Sequence, residues 1–450
     1  ICDVDIEGLR FIQRLQTVRL VASRFYDVPD TGEVDATGPT PLGIAAAGKF
    51  GDTSHMTKAP SRPEFIILIA LMISIVALTT DIMLPALDQI SADLGQADGQ
   101  NSHLVVSILF IGFAVGQLFA GPLSDSFGRR PVIHGGYVLF LIGTFVCLLA
   151  PTFEILLAGR VLQGLGIAGP RIVAVAIVRD GYEGRSMARI MSFVMAVFIL
   201  VPAIAPSIGQ ILINLSGWQA TFVLLVVMAA VTWTWFSLRQ PETLAPADRR
   251  KLSLRSIGQG IVYICKTRAA IGYTICAGII FGPFLAYLSL AQRVFQDIYD
   301  TGEAFSLWFG AAALAIGSAS IVNSRLVERL GMRFLSNLAL VLTALVSGAF
   351  LLMIWSWDGL PPFALFLGWL LITFFGMGLL FGNLNALAME PLGKMAGLGA
   401  AVVGSLSTVI ALPLAYAVGE VLVDSVTPLV IGFGSAAALT LLLSLWAGAD

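Results

Sequence analysis

Apolar stretches follow one another almost without interruption from residue 65 to residue 447. A helix needs about 20 apolar residues to cross a hydrocarbon core ~30 Å thick, and in lipid its backbone must satisfy its own hydrogen bonds. The composition agrees, since 57% of the 450 residues are hydrophobic and only 12% are charged. A soluble domain carries roughly 25% charged residues. The sequence therefore predicts an all-α polytopic membrane protein.

Prolines, glycines and charged clusters divide this region into twelve candidate transmembrane helices. The predicted ranges are 65–87, 102–123, 131–150, 153–178, 188–213, 219–237, 269–291, 304–324, 334–355, 362–387, 396–418 and 427–447. We expect an N-terminal six-helix half at 61–237, a central cytoplasmic loop at 238–268 and a C-terminal six-helix half at 269–450.

Residues 1–60 differ from the rest of the chain. They are polar, rich in Gly, Pro, Asp and Thr, and contain no apolar segment long enough for a signal peptide. Because Met56 stands shortly before the first span, we expect this segment to be a disordered tail or an extension from a misplaced start.

Lysine and arginine are divided unequally between the two sides of the predicted membrane. If the N-terminus is cytoplasmic, the loops on that side carry sixteen of them, whereas the opposite loops carry only Arg293. Cytoplasmic loops are the ones enriched in basic residues. The distribution predicts a multi-pass protein of the inner (plasma) membrane with both termini in the cytoplasm.

A polar stretch between the second and third spans, Gly121–Pro131, recurs in weaker form at 324–333. Leucine, acid, glycine and arginine keep their relative places in the two copies, which lie 203 residues apart. The offset places the second span on the eighth, so the halves are predicted to be parallel repeats. Two such repeats are the architecture of a rocker-switch transporter, whose substrate binds between them near the bilayer midplane.

The first copy fits the pattern Gly-x-Leu-x-Asp-x-x-Gly-Arg-Arg at every fixed position, which is the loop signature of the major facilitator superfamily. Over about 60–447 the chain resembles that superfamily, and more closely its bicyclomycin-resistance (Bcr/CflA) branch of drug:proton antiporters. The resemblance implies the major facilitator fold and a gate at this loop, with a merely well-anchored loop as the alternative. The predicted gate residues are Gly121, Asp125, Gly128, Arg129 and Arg130, together with Glu328 and Arg333 in the second copy.

The fourth span contains Arg160 to Gly164, similar to the family's Arg-x-x-Gln-Gly signature, which is associated with proton coupling. An arginine inside a span costs several kcal/mol unless it faces a cavity or a partner. Asp81 in the first span is predicted to lie at the same depth, roughly 10 Å from the outer end. Burial favours a neutral carboxyl group and a nearby arginine favours a charged one, so a change in their distance would bind or release a proton.

The predicted proton-coupling residues are therefore Asp81, Arg160 and Gln163. The alternatives are an Arg160 that snorkels to the outer surface and an Asp81 wetted by an outer vestibule. Arg171 lies nearer the inner end of the fourth span, where snorkelling or pairing with a loop is expected.

The fifth span is similar to the family's antiporter signature Gly-Pro-x-x-Gly-Gly, with Ala205 and Gln210 in place of two glycines. Pro202, Pro206 and Gly209 are predicted to bend this helix and let it pack closely. Glu242 to Leu244, after the sixth span, also resembles the branch and is expected to contact a helix end.

Aromatic and amide side chains on several spans are candidates to line a substrate cavity. They are Gln117, Gln210, Phe281, Phe284, Tyr287, Asn383 and Asn385. With Asp81 as the acid inside a span, the expected substrate is a neutral or cationic amphiphile. The expected partner besides the substrate is the lipid bilayer, with no nucleic acid, and the protein is expected to act as a monomer.

No enzyme is predicted. The four cysteines have no metal-ligand spacing, the three histidines are scattered, and no hydrolase motif occurs in the sequence. We expect no metal and no cofactor apart from the proton as coupling ion. The leading hypothesis is a proton-coupled multidrug efflux antiporter. The alternatives are a dedicated transporter of one metabolite, such as an amino acid, sugar or siderophore-like compound, and a membrane sensor or enzyme that does not transport.

Overall fold

A computed structural model describes residues 60–96, 101–182, 184–249, 252–357, 360–421 and 425–448. The predicted tail at 1–60 lies outside these ranges except for Pro60. Within them, twelve helices are long and apolar enough to cross a membrane, and no strand occurs, which confirms the predicted fold class. These helices are α1 (Arg62–Asp93), α2 (Leu104–Phe127), α3 (Arg129–Leu148), α4 (Phe153–Gly181), α5 (Arg189–Ser216), α6 (Gln219–Arg239), α7 (Arg268–Ile298), α8 (Phe305–Leu330), α9 (Met332–Trp357), α10 (Phe363–Leu392), α11 (Leu398–Gly419) and α12 (Thr427–Ala447).

The first span is broken, whereas the sequence predicted one helix over 65–87. An α-helix ends at Asp81, a 3-10 turn covers Leu84–Ala86, and a short helix follows at Leu87–Asp93. Pro85 has no N–H to donate to the carbonyl of Asp81, which accounts for the break. The N–H of Leu87 instead donates to Oε1 of Gln292 in α7 at 2.9 Å.

The loop motif forms a tighter turn than the sequence predicted. The α2 helix continues through Phe127 and α3 begins at Arg129, so that Gly128 alone separates them, with φ 103° and ψ 163°. This region of backbone conformation is essentially restricted to glycine.

The segment predicted as the central loop contains a helix of its own, Leu254–Lys266. Its Gly260 lies against the side chain of Leu398 at the start of α11.

The α4 helix packs closely between α2 and α3 because glycines remove side chains from both contacts. A Cβ on Gly164 would overlap the carbonyl oxygen of Leu109 in α2, and a Cβ on Gly166 would overlap the backbone of Phe140 in α3. Small residues that let backbones approach are the usual means of helix association in membranes. The position of α4 is thereby fixed, and with it the positions of its two arginines.

Several contacts join the two halves of the bundle near one of its ends. We call the end that holds Gly128 the motif end and the opposite end the far end. Besides the bond from Leu87 to Gln292, the hydroxyls of Ser107 in α2 and Ser289 in α7 lie 3.2 Å apart near the far end. Near the start of α8, Gly310 lies against the carbonyl of Ala203 in α5. The halves are thus joined from the far end towards the middle of the bundle.

Candidate functional site

Asp81 lies where the α-helix of the first span ends, and its side chain is buried at 3% exposure. Its carboxylate forms no hydrogen bond or ion pair with any residue in the described ranges. The α5 backbone meets the break directly, since a Cβ on Gly209 would overlap the carbonyl oxygen of Ile82. Pro202 and Pro206 lie inside the same α5 helix, about two turns and one turn before that contact. Gly209, one of the three predicted bend residues, therefore lies directly against the helix break that carries Asp81.

Arg160 is fully buried and binds several helices at once. Its Nε donates to the carbonyl of Val105 in α2 at 2.8 Å, and its Nη1 donates to Oε1 of Gln163 at 2.8 Å and to the carbonyl of Thr79 in α1 at 3.3 Å. Nε2 of Gln163 donates in turn to the hydroxyl of Thr144 in α3 at 2.9 Å. Insertion into a span costs an arginine about 3 kcal/mol, and these bonds offset that cost. Arg160 and Gln163 together tie α4 to the three helices around it.

Asp81 and Arg160 lie at the same level of the bundle but are not ion-paired. The carbonyl of Thr79 that accepts from Arg160 belongs to the residue two positions before Asp81. Nη2 of Arg160 has no hydrogen-bond partner among the described residues. The predicted pair is therefore brought close in depth, with a donor and an acceptor that both lack partners among the described residues.

Tyr287 of α7 is the neighbour of Asp81 in the other half. It is 1% exposed, and its hydroxyl has no partner in the described part of the chain. The hydrogen bond between Leu87 and Gln292 explains this placement. Leu87 follows Asp81 by six residues, and Gln292 follows Tyr287 by five. Because α1 and α7 run in the same direction, Asp81 and Tyr287 lie at similar depth. Aromatic contact holds the Tyr287 ring, whose centre lies 4.7 Å from that of Phe374.

The other aromatic cavity candidates also lie at the interface between the halves. The rings of Phe281 and Phe284 lie 6.0 Å apart, and both contact Phe381 of α10. Phe110 of α2 reaches Phe281 from the first half at 5.8 Å. Phe281 and Phe284 are half-buried, so part of each ring remains accessible.

The amide candidates are not gathered at this cluster. Asn383 exchanges two hydrogen bonds with Asn323 between α10 and α8, at 2.9 and 3.0 Å. Asn385 is exposed and donates to a carbonyl of its own helix, and Gln210 donates to Asn214 one turn further along α5. Gln117 is buried against Gly404 of α11, and its Nε2 has no partner among the described residues.

Arg171 is the second arginine inside α4. Eleven residues, about three turns, separate it from Arg160, so both lie on the same face of the helix. Its guanidinium lies 5.8 Å from the centre of the Phe198 ring in α5. No acidic side chain in the described ranges pairs with it. Ten residues, ~15 Å of helix, separate it from Gly181, where α4 ends at the motif end.

The predicted gate is a network of charged groups centred on Arg129, which is 3% exposed. Nη1 of Arg129 donates to Asp125 at 2.6 Å and to the hydroxyl of Ser124 at 2.8 Å. Nε and Nη2 donate to the two carboxylate oxygens of Asp180 at 2.9 and 3.3 Å. One side chain thereby joins the motif ends of α2, α3 and α4.

Glu242 completes the network from beyond α6. Its carboxylate accepts from the backbone N–H groups of Arg129 and Arg130 at 2.9 and 3.0 Å, which caps the start of α3. This is the helix-end contact that the sequence predicts. The side chain of Arg130 donates to the carbonyls of Gln240 and Ser237 at 2.7 and 3.0 Å. Gly121 lies one turn before the network, and the hydroxyl of Ser124 donates to its carbonyl.

The second copy of the motif has the turn without the network. Gly331 separates α8 from α9 with φ 81° and ψ 154°. Arg333 donates to the carbonyl of Gly448 at 3.2 Å. Glu328 forms no ion pair with any described residue, and Met332 occupies the place that Arg129 has in the first copy.

Sequence reasoning missed several partners in these clusters. Asp180 forms one of the two ion pairs of Arg129. The sequence indicates it only as an acidic residue at the inner end of the fourth span, beside Arg179. Arg160 binds main-chain carbonyls, for which the sequence holds no signal at all. Thr144 could have been suspected only as a polar residue inside the third span.

Twelve spans, a duplicated loop and charged side chains inside the bundle define a secondary transporter of the two-repeat type. The sequence matches the major facilitator superfamily over residues 69–415. It is 30% identical over 355 residues to the "Uncharacterized MFS-type transporter YdgK" of Bacillus subtilis, covering 78% of this chain and 87% of that protein. It is 28% identical over 400 residues to the bicyclomycin resistance protein homolog of Haemophilus influenzae, covering 86% and 96%.

The chain belongs to the major facilitator superfamily, as its motifs predict. It is a transporter of small molecules and not an enzyme, and it is a multi-pass membrane protein. The crystal structure of a D-xylose-proton symporter has the same fold, with a TM-score of 0.69 over 84% of this chain and 96% of that one. At 13% identity this likeness concerns the fold alone.

Proposed function

We propose that the chain exports amphiphilic small molecules, drugs among them, in exchange for protons by alternating access. The observation that carries the proposal is Asp81, a buried carboxylate without a partner among the described residues, placed at a helix break beside Tyr287 of the other half. The name of the relative from Haemophilus influenzae, a bicyclomycin resistance protein homolog, supports export of drug-like compounds.

In this proposal the coupling step is the exchange of a proton at Asp81. Burial favours a neutral carboxyl group and contact with water favours a charged one, so a rocking motion that alternately encloses and wets Asp81 loads and releases the proton. Arg160 supports the charged state because its unpartnered Nη2 is a donor at the same depth. Gln163 keeps the guanidinium in place through Nη1.

The distribution of basic residues supports an orientation with the motif end and both termini in the cytoplasm, in the inner membrane. Contacts between the halves at the far end then correspond to a state closed towards the outside. The protein works as a monomer in this proposal, and the proton is its coupling ion without a further cofactor.

The residues near Asp81 support a neutral or cationic amphiphile as one class of substrate. Phe281, Phe284 and Tyr287 offer ring faces for stacking, and Asp81 offers a single negative charge. A dedicated transporter of one metabolite is the competing outcome, and a panel of compounds separates the two.

The test uses the purified full chain in liposomes with an imposed pH gradient and a fluorescent cationic amphiphile. We expect Asp81→Asn to lower gradient-driven transport at least about tenfold, because one proton site is removed. Exchange of the same compound without a gradient should persist, which shows that the variant is folded. Glu154→Gln, at the exposed start of α4, is the matched control and should transport as the wild type does.

Two results would contradict the proposal. Undiminished gradient-driven transport by Asp81→Asn would remove Asp81 from the coupling step. A wild-type protein that moves no compound of a broad amphiphile panel with the gradient would remove drug export itself.

A further inference from the structure

We propose that Arg171 binds the anionic group of a substrate, so that this transporter also accepts amphiphiles that carry a carboxylate. The inference rests on the proposed transport function and extends its substrate class beyond neutral and cationic compounds. It assigns to Arg171 a binding role separate from the proton site at Asp81.

Arg171 lies near the middle of α4 along the membrane normal. The α4 helix covers Phe153–Gly181, so its midpoint is Ile167, and Arg171 lies four residues beyond it, ~6 Å towards the motif end. Transporters built from two repeats bind their substrates near the bilayer midplane, between the repeats. Arg171 is therefore at substrate depth.

The surroundings of α4 leave Arg171 only partly covered. No residue between Gly159 and Val178 is exposed, so the helix is enclosed by the bundle. Arg171 is nevertheless half-buried and not fully buried. It lies on the same helix face as Arg160, which meets α1, and its neighbour Phe198 belongs to α5. Part of its guanidinium is thus accessible on the face of α4 next to Phe198.

The two arginines on this face of α4 differ in their hydrogen bonding. Arg160 uses its donors on Val105, Thr79 and Gln163. Arg171 contacts the ring of Phe198, which offers no oxygen acceptor, and its N–H donors have no acceptor among the described residues. A half-buried cation without an acceptor is still unfavourable at this depth of a membrane protein. A carboxylate satisfies it in two parallel N–H···O bonds, the geometry that guanidinium groups favour.

Arg171 lies too far from the proton site at Asp81 for one small ligand to contact both. Asp81 lies level with Arg160, and the eleven residues from Arg160 to Arg171 correspond to ~16 Å of helix. A small ligand bound to Arg171 does not reach Asp81. Anion binding should therefore be independent of the residue that carries the proton.

The experiment measures equilibrium binding to the purified full chain in nanodiscs at neutral pH, with two fluorescent probes. N-dansyl-leucine carries a carboxylate, and N-dansyl-leucinamide is its neutral twin. We expect the wild type to prefer the carboxylate probe. Arg171→Gln should weaken binding of that probe by about tenfold or more, the effect of losing a charge-assisted hydrogen bond, and should leave the amide probe within about twofold.

Three further variants separate the interpretations. Arg171→Lys retains the charge and should restore most of the preference. Arg179→Gln removes a cation from the exposed end of the same helix and should bind both probes as the wild type does. Asp81→Asn should retain the preference for the carboxylate.

Several outcomes would overturn the inference. They are equal binding of the two probes by the wild type, equal weakening of both probes in Arg171→Gln, and the same loss in Arg179→Gln. If Asp81 couples transport to protons while Arg171→Gln leaves the preference unchanged, the anion site is wrong and the export proposal stands. If Arg171→Gln loses only the preference for the carboxylate probe while the wild type shows no gradient-driven transport, the anion site stands and the export proposal is wrong.

Discussion

The loop between α2 and α3 and the loop between α8 and α9 occupy equivalent places in the two halves. Gly128 and Gly331 adopt similar backbone conformations, with φ of 103° and 81° and ψ of 163° and 154°. Arg130 and Arg333 follow at the same interval, and each donates to main-chain carbonyls at or just beyond the end of the last helix of its half. The backbone turn and this arginine contact are thus common to both copies.

The two loops differ in the residue between the glycine and the arginine, which is Arg129 in the first loop and Met332 in the second. Arg129 binds Asp125 and Asp180 in the first half. Met332 has no charge to offer, and Glu328 is left without an ion pair among the described residues. The duplication thus preserved a turn, whereas among the described residues the charge network of the predicted gate lies in the first half.

The largest effect is expected from Arg129→Met, which gives the first loop the residue that the second loop has at Met332. Arg129→Met removes both ion pairs but leaves the backbone cap by Glu242 in place. We expect initial rates of substrate export from liposomes to fall at least about tenfold, because hydrogen bonds to charged groups contribute about 1.5–3 kcal/mol each. Glu328→Gln in the second loop is the matched control and should change the rate by less than about twofold.

Comparable losses in these two variants would mean that both loops gate transport. A normal rate in Arg129→Met would reduce the network to an anchor of the helix ends. Thermal unfolding of each purified variant separates a loss of gating from a loss of folded protein.

These loops also illustrate what the sequence can predict. The twelve spans are predictable because lipid leaves each long apolar segment no alternative to a helix. The turn at Gly128 is predictable because its pattern is local. The pairing of Arg129 with Asp180, 51 residues away, is not, because it depends on how α3 and α4 pack. The same limit applies to Asn383, whose amide looked suited to a substrate and instead pairs with Asn323.

An intermediate effect is expected from the arginine that both loops share. Arg130→Gln loses two carbonyl contacts in a half-buried site, and Arg333→Gln loses one in an exposed site. We expect the first variant to lower the midpoint of thermal unfolding in detergent clearly more than the second, since exposed contacts of charged groups contribute little. Equal shifts would show that the loops contribute equally to stability despite their different networks.

The smallest difference is expected at the two glycines. A Cβ is strained at both positions, because this backbone region costs other residues about 1–3 kcal/mol. At Gly331 the added atom would meet nothing within 4 Å, whereas at Gly128 it would lie 2.7 Å from Oε2 of Glu242. That oxygen is held by the N–H of Arg130, so its displacement also costs a helix cap, about 1 kcal/mol. Gly128→Ala should therefore be less stable than Gly331→Ala by about 1 kcal/mol, measured as the difference between their thermal unfolding midpoints. In a Glu242→Ala background the difference between Gly128→Ala and Gly331→Ala should disappear if the cap is its cause, and an undiminished difference would place the cause in the backbone alone.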